Sequence, residues 1–195
     1  MTNDQTVDTG VAQRAGPGPG RQTNSIGHPI ERMLSVSAHD ILDALDNGSR
    51  ARAELKGKLA ELFAGRYLDG LQMRGVIDLY EWQDSVDEPT FVVWPRGGPA
   101  MTVKVQSVRP GIGPLRIETQ RLGATIKDPM SRHYRVDEFD VVAACLYELT
   151  GEWTYIFARA NELRRSAVDD RYLDTIQVIR QPVGAPWTTD LTTLF

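Results

Sequence analysis

The stretch Pro89-Thr90-Phe91-Val92-Val93-Trp94-Pro95-Arg96-Gly97-Gly98-Pro99-Ala100-Met101-Thr102-Val103-Lys104-Val105-Gln106-Ser107-Val108 decides how the rest of the chain is read. Its two ends are rich in β-branched and aromatic residues, and its middle, Pro95 to Pro99, holds prolines and glycines that cannot continue a strand. That pattern predicts two strands, Thr90 to Trp94 and Met101 to Val108, joined by a tight connection. Residues two apart on a strand share a face, so Lys104 and Gln106 project together from an otherwise apolar strand. They are the first candidates for function. The plainer reading of Lys104 is a lysine that keeps an edge strand from pairing with another chain.

Val76 to Trp82 reads as a strand before this pair and Leu115 to Arg121 as one after it, with turns at Asp84 to Pro89 and Pro110 to Pro114. Gly123 to Tyr134 is a polar loop. Phe139 to Tyr147 and Trp153 to Phe157 are apolar runs joined by a polar, glycine-containing connection, the pattern of a buried hairpin. Arg159 to Asp170 has a helical composition, and the end of the chain, with Pro182, Pro186 and Trp187, is expected to pack back onto the core as strand or loop. Upstream, Ser37 to Asp46 predicts a short helix closed by Asn47-Gly48, the glycine suiting a left-handed position. Ser49 then caps a longer helix running to Leu71, with Leu55, Leu59, Leu62 and Phe63 as its apolar stripe. Met1 to Gly27 has too little apolar surface to offset ordering. The expected organisation is a disordered tail over 1–36 and one domain over 37–195. Helix, strands, hairpin and helix in that order predict an α/β or α+β class.

The 195 residues, 41% hydrophobic and 25% charged, suffice for one domain with a real core. A single cysteine, Cys145, excludes a disulfide framework and suits a reducing compartment, so a cytoplasmic location is expected. No apolar run approaches the ~20 residues that span a bilayer, and no membrane partner is expected. Charge is uneven. The net charge is -4, yet the segment from Arg96 to Arg135 carries eight basic residues against Glu118 and Asp128 alone. A basic region inside an acidic protein points to a polyanion, or else to a basic surface balanced by neighbouring carboxylates.

Several chemistries find no support. His28, His39 and His133 are far apart and match no zinc or haem spacing. Gly16-Pro17-Gly18-Pro19-Gly20 precedes any strand and lacks a following Lys-Ser/Thr, so it is linker and not a phosphate cradle. Cys145 lies in a Val-Val-Ala-Ala-Cys-Leu run that predicts burial and an inert thiol.

The strand pair, the helix motif Lys56-Gly57-Lys58-Leu59-Ala60-Glu61, the Gln120-Arg121 pair and the run Tyr134-Arg135-Val136-Asp137-Glu138-Phe139-Asp140 occur in an order that resembles the PD-(D/E)xK, or restriction-endonuclease-like, nucleases from about Glu54 to Phe157. The resemblance implies a central mixed β-sheet flanked by helices. It also implies a divalent metal held by carboxylates on adjacent strands, with a lysine two residues on assisting the nucleophile. On that alignment the metal-binding Asp falls on Thr90, the second acid on Lys104 and the lysine on Gln106. All three are changed. A hydroxyl and a neutral amide are poor ligands for a hard cation, and an ammonium repels it while supplying positive charge in its place. Only Glu61, the acid of the preceding helix, survives.

The resemblance therefore implies a nucleic-acid-binding pseudonuclease, in DNA defence or repair, that needs no cofactor. Arg96, Arg109, Arg116, Arg121, Arg132 and Arg135 are its expected phosphate contacts. Two alternatives stay open. Migrated carboxylates, Asp78 and Glu118 with Glu61 and with Gln120 nearby, would rebuild a Mg2+ site and make the chain an active endonuclease; as structural residues, Glu118 instead pairs with Arg116 or Arg121 and Asp78 faces solvent. Alternatively the fold serves protein interaction through its apolar C-terminal strand and Trp187. Asp137, Glu138 and Asp140 read as turn and cap residues. A homodimer is expected by analogy alone.

Overall fold

The computed structural model describes residues 27–83, 88–109, 114–120, 129–180 and 183–195. Most of the predicted tail, the turn at 84–87, the loop at 110–113, Arg121, most of the loop from Gly123, and Pro182 lie outside them. The chain divides into two compact units, Met1–Asn47 and Gly48–Phe195.

The described part of the first unit is two helices, α1 (Pro29–Leu34) and α2 (Ala38–Asn47). Residues 29–34 fall in the segment expected to be tail. They are helical because Pro29 presets the first turn and because His28 and Glu31 cap it reciprocally. The Glu31 carboxylate accepts from the His28 amide at 2.6 Å and from the Ala38 amide at 2.7 Å. Ser37 and Asp40 repeat the device for α2, with Asp40 Oδ2 accepting from Ser37 N at 3.0 Å. These bonds hold the Asp40 carboxyl below its ordinary range.

The second unit begins with α3 (Ser49–Met73), 25 residues long. Gly48, extended at φ -109°, is its N-cap, a correction to both the capping role expected of Ser49 and the left-handed role expected of Gly48. The buried stripe also differs from the leucines read from the sequence. Ala60, Ala64, Gly65, Leu68 and Leu71 face the core, whereas Leu62 is 36% exposed. The small side chains of Ala60, Ala64 and Gly65 let the middle of the helix lie close to the sheet, Leu68 and Leu71 fill the core beyond it, and Phe63 of the expected stripe packs against the same core.

Among the described residues the sheet has seven strands: β1 (Ile77–Trp82), β2 (Phe91–Pro95), β3 (Met101–Arg109), β4 (Leu115–Glu118), β5 (Val141–Cys145), β6 (Tyr155–Arg159) and β7 (Ile176–Ile179). β1, β2 and β3 form an antiparallel meander. β5 then pairs parallel to β3, and β6 returns antiparallel beside β5. The far end of β3 turns its pairing to β4, and β4 pairs with β7, giving an open mixed sheet. β5 is buried along its whole length, which explains its unbroken apolar run.

Strand alternation sorts two cores. Val103 and Val105 of β3 join α3, Phe91, Val141 and Phe157 on one face. Val108 joins Ile117, Tyr134, Val142, Ile156, Ile179 and Trp187 on the other. A four-residue helix, α4 (Tyr147–Thr150), bridges β5 and β6 and ends on Gly151, whose φ of 72° only glycine adopts cheaply. The helix expected over Arg159 to Asp170 shrinks to one 3-10 turn at Ala160–Glu162. The segment beyond it spends its donors on non-helical bonds within its own loop, such as Ser166 N to Tyr172 O at 2.9 Å. Among the described residues no helix is long and apolar enough to cross a membrane.

Candidate functional site

Continuing the register Phe91↔Val103 by one step places Thr90 opposite Lys104 across β2 and β3. Both are buried, Thr90 at 4% and Lys104 at 9% exposure. The Thr90 hydroxyl accepts from the Val105 amide at 3.1 Å, occupying a main-chain donor at the point where β2 starts. Lys104 Nζ donates to the Glu88 carbonyl at 2.7 Å and lies 5.6 Å from the centre of the Tyr134 ring. The ammonium thus gains a carbonyl dipole and an aromatic face, which offset part of the cost of burying a charge. Lys104 is not an edge-strand lysine: β3 has β2 on one side and β5 on the other. Gln106 follows on the same face, beside Ala144 of β5, and is half-buried.

The remaining candidates are not gathered there. Glu61 rides on α3, which packs against the Val103 and Val105 face, and its carboxylate pairs with Lys58 at 3.0 Å. Asp78 sits at an irregularity in β1 and pairs with Arg96 at 3.0 Å. Glu118 pairs with Arg109 at 3.1 Å, not with Arg116, and accepts from Gln120 Nε2 at 2.8 Å. Each carboxylate is held by its own cation on a different element, and among the described residues no group of three metal-ligating side chains is gathered.

The basic residues divide as well. Arg96, Arg109 and Arg135 each face a carboxylate, Asp137 taking two bonds from Arg135 at 2.9 and 3.1 Å. Arg116 and Arg132 are exposed, and Arg121 lies outside the described residues. Lys104 and Gln106 project to the Tyr134 side of the sheet, and Arg109, an odd number of residues along β3, projects to the other.

Asp140, just before β5, does not act as a local cap: its carboxylate accepts from the Thr102 amide at 2.7 Å and hydroxyl at 2.9 Å, tying the entry of β5 to β3. His28 caps α1, His39 lies 3.6 Å from Asp43, and His133 Nδ1 lies 2.8 Å from the Leu173 carbonyl. Cys145 is buried, and burial pushes its thiol pKa up, which leaves it a poor nucleophile. Trp187, expected as a contact face, is only 5% exposed and belongs to the second core. It is therefore unavailable to a partner. That is a correction with a simple cause, since the Thr188 backbone pairs with Phe157 of β6 at 2.8 Å and carries Trp187 inward.

Two arrangements escaped the sequence reading. Phe63 of α3 stacks on Trp153 at 4.7 Å, and Trp153 stacks on Tyr147 of α4 at 4.0 Å. Arg66 lies 4.6 Å from the centre of the Phe63 ring, and Lys56 pairs with Glu148 alongside at 2.7 Å. Gln177, buried in β7, accepts from the Arg164 amide at 2.9 Å and donates to the Arg164 and Asp174 carbonyls. The residues of each set are distant in sequence, so no local spacing could have found them.

No family model and no curated protein matches the chain. Among solved structures it is similar to a bacterial homing endonuclease, I-Ssp6803I, at 18% identity and a TM-score of 0.44, over 69% of this chain and 81% of that one.

Proposed function

We propose that the chain is a nucleic-acid-binding protein of restriction-endonuclease-like architecture that has lost the metal-dependent chemistry of that group, acting in DNA defence or repair. The observation that carries this reading is the Lys104 ammonium, buried opposite Thr90 and bonded to the Glu88 carbonyl at 2.7 Å. On the alignment implied by the sequence, that is where a metal-binding acid belongs. A divalent ion does not fit the residues present: Thr90 offers a hydroxyl already bonded to Val105 N, Gln106 a neutral amide and Lys104 a cation. Rebuilding a Mg2+ site from Asp78, Glu118 and Glu61 would require breaking three ion pairs and moving three elements together.

The test is to incubate the protein in excess with supercoiled plasmid in Mg2+ and separately in Mn2+, scoring nicked, linear and retarded DNA. Retardation at low salt without cutting is the expected result. Metal-dependent cutting that Glu118→Ala abolishes overturns the loss of catalysis, and absence of any retardation overturns nucleic-acid binding. A homodimer, part of the same analogy, is read by light scattering on the same preparation.

A further inference from the structure

The end of β3, β4 and β7 form an antiparallel ribbon with one face on the second core and the other open to solvent. Ile117, Gln177 and Ile179 point inward, and Arg116, Ile176, Val178 and Arg180 alternate with them on the outside. The register places Arg109 directly opposite Arg116, and Arg116 directly opposite Val178. Two arginines facing each other across adjacent strands have Cβ atoms only ~5 Å apart, an arrangement that repels unless an anion lies between them. Arg180 continues the outward face one step beyond Val178. Glu118 is the single carboxylate among the outward residues of these strands, and it pairs with Arg109. Val178 and Ile176, 42% and 39% exposed, lie beside the arginines and supply apolar area.

We infer that this ribbon face, with Arg109, Arg116 and Arg180 as its cations, is the surface that lies against the sugar-phosphate backbone and major groove of duplex DNA. The inference rests on the nucleic-acid reading above and narrows it to one face. Arg109 and Arg116, on the adjacent strands β3 and β4 ~4.8 Å apart, suit a major groove about 12 Å wide, which A-form RNA does not offer, and Arg180 beyond β7 lies one strand further out, at the phosphates of the groove's rim. Glu118 acts as a competing anion, holding Arg109 until a phosphate replaces it. This surface is on the opposite side of β3 from Lys104 and Gln106, so DNA held here does not approach the altered motif positions.

The experiment measures anisotropy of a labelled DNA duplex of about 20 base pairs with the full chain, between about 50 and 200 mM salt. Arg109→Ala with Arg116→Ala should weaken binding about tenfold or more at the lower salt and reduce the log-log salt slope by about 1.8. Glu118→Gln, nearly isosteric, should tighten binding about threefold by removing the competing anion. It carries the test by itself if the double variant folds poorly. Arg50→Ala, an exposed arginine at the start of α3, measures the generic loss of one charge and should change the slope by less than about 1. Wild-type protein that binds DNA while the double variant binds equally well, or a Glu118→Gln variant that binds more weakly, overturns the ribbon and leaves the nucleic-acid reading standing. Tighter binding to duplex RNA of the same sequence also overturns it. Wild-type protein that binds no DNA overturns both.

Discussion

Lys104 and Glu88 are joined by a hydrogen bond of 2.7 Å from a buried ammonium to a main-chain carbonyl, and that bond ties the middle of β3 to the segment leading into β2. The lysine is held on its other side by the Tyr134 ring, so the charge is fixed by a dipole and a π face from two separate parts of the chain. A charge in this position is an integral part of the sheet and not a mobile surface cation.

Lys104→Met keeps most of the stem packing and removes the charge, leaving the Glu88 carbonyl without its donor. Hydrogen bonds involving a charged group contribute roughly 1.5–3 kcal/mol, so urea denaturation should show a loss in that range. Lys104→Glu should cost more, because it buries a carboxylate against a carbonyl oxygen.

Gly65 sits in the buried stripe of α3, and a Cβ there would meet Phe91 Cζ and Tyr80 Oη at 3.7 Å, ordinary contact distance. Glycine in a helix interior is roughly 1 kcal/mol less favourable than alanine. Gly65→Ala should therefore raise stability by up to about 1 kcal/mol, read as a higher urea midpoint at unchanged slope. A larger residue would push α3 off Phe91, so Gly65→Leu should destabilise.

Trp153 is the middle ring of the Phe63–Trp153–Tyr147 stack that fastens α4 to α3. Trp153→Ala removes both ring contacts and should cost about 2 kcal/mol or more, less than for a fully buried tryptophan because the site is half-exposed. Amide exchange should accelerate in α4 with little change in β5.

Hydrogen bonds from the Arg171 side chain and backbone hold the Asp169 carboxyl at about 2, below its ordinary value of 3.8. A depressed carboxyl stabilises the fold fully above the unfolded value and loses that contribution as pH falls through the folded one. Between about pH 4 and 2 the wild type should therefore lose stability that Asp169→Asn does not, with the two curves becoming parallel above about pH 5. Denaturation midpoints across that range measure it. Asp137, lowered by Arg135, adds to the same acid slope.

Local patterning carried much of the fold. The alternation in β1, β2 and β3, the proline and glycine turn between β2 and β3, and the apolar run of β5 each follow from residues adjacent in sequence, and each formed within one or two residues of its predicted span. The register was not legible: pairing of Phe91 with Val103, which sets Thr90 opposite Lys104, is fixed by how the two strands meet and not by their alternation. β7 was not legible as a strand. Four residues with a buried glutamine carry a weak signal, and the strand exists because β4 offers it an edge. The buried face of α3 was misread for a related reason: hydrophobic bulk predicts which residues avoid water, whereas the distance between a helix and a sheet is set by the smallest side chains between them.

At the candidate site, the order of amino acids is enough to say that a hydroxyl, an ammonium and an amide occupy places where the resemblance implies two acids and a lysine. Where those groups point and what they touch depends on the folded chain. Lys104 reaches Glu88 and Tyr134, Glu61 lies across the sheet from it, and Arg96 and Arg109 meet Asp78 and Glu118 of other strands. The physical reason is range: propensity and alternation act over a few residues of chain, whereas charge pairing and burial depend on distances that exist only after strands far apart in sequence have been brought side by side.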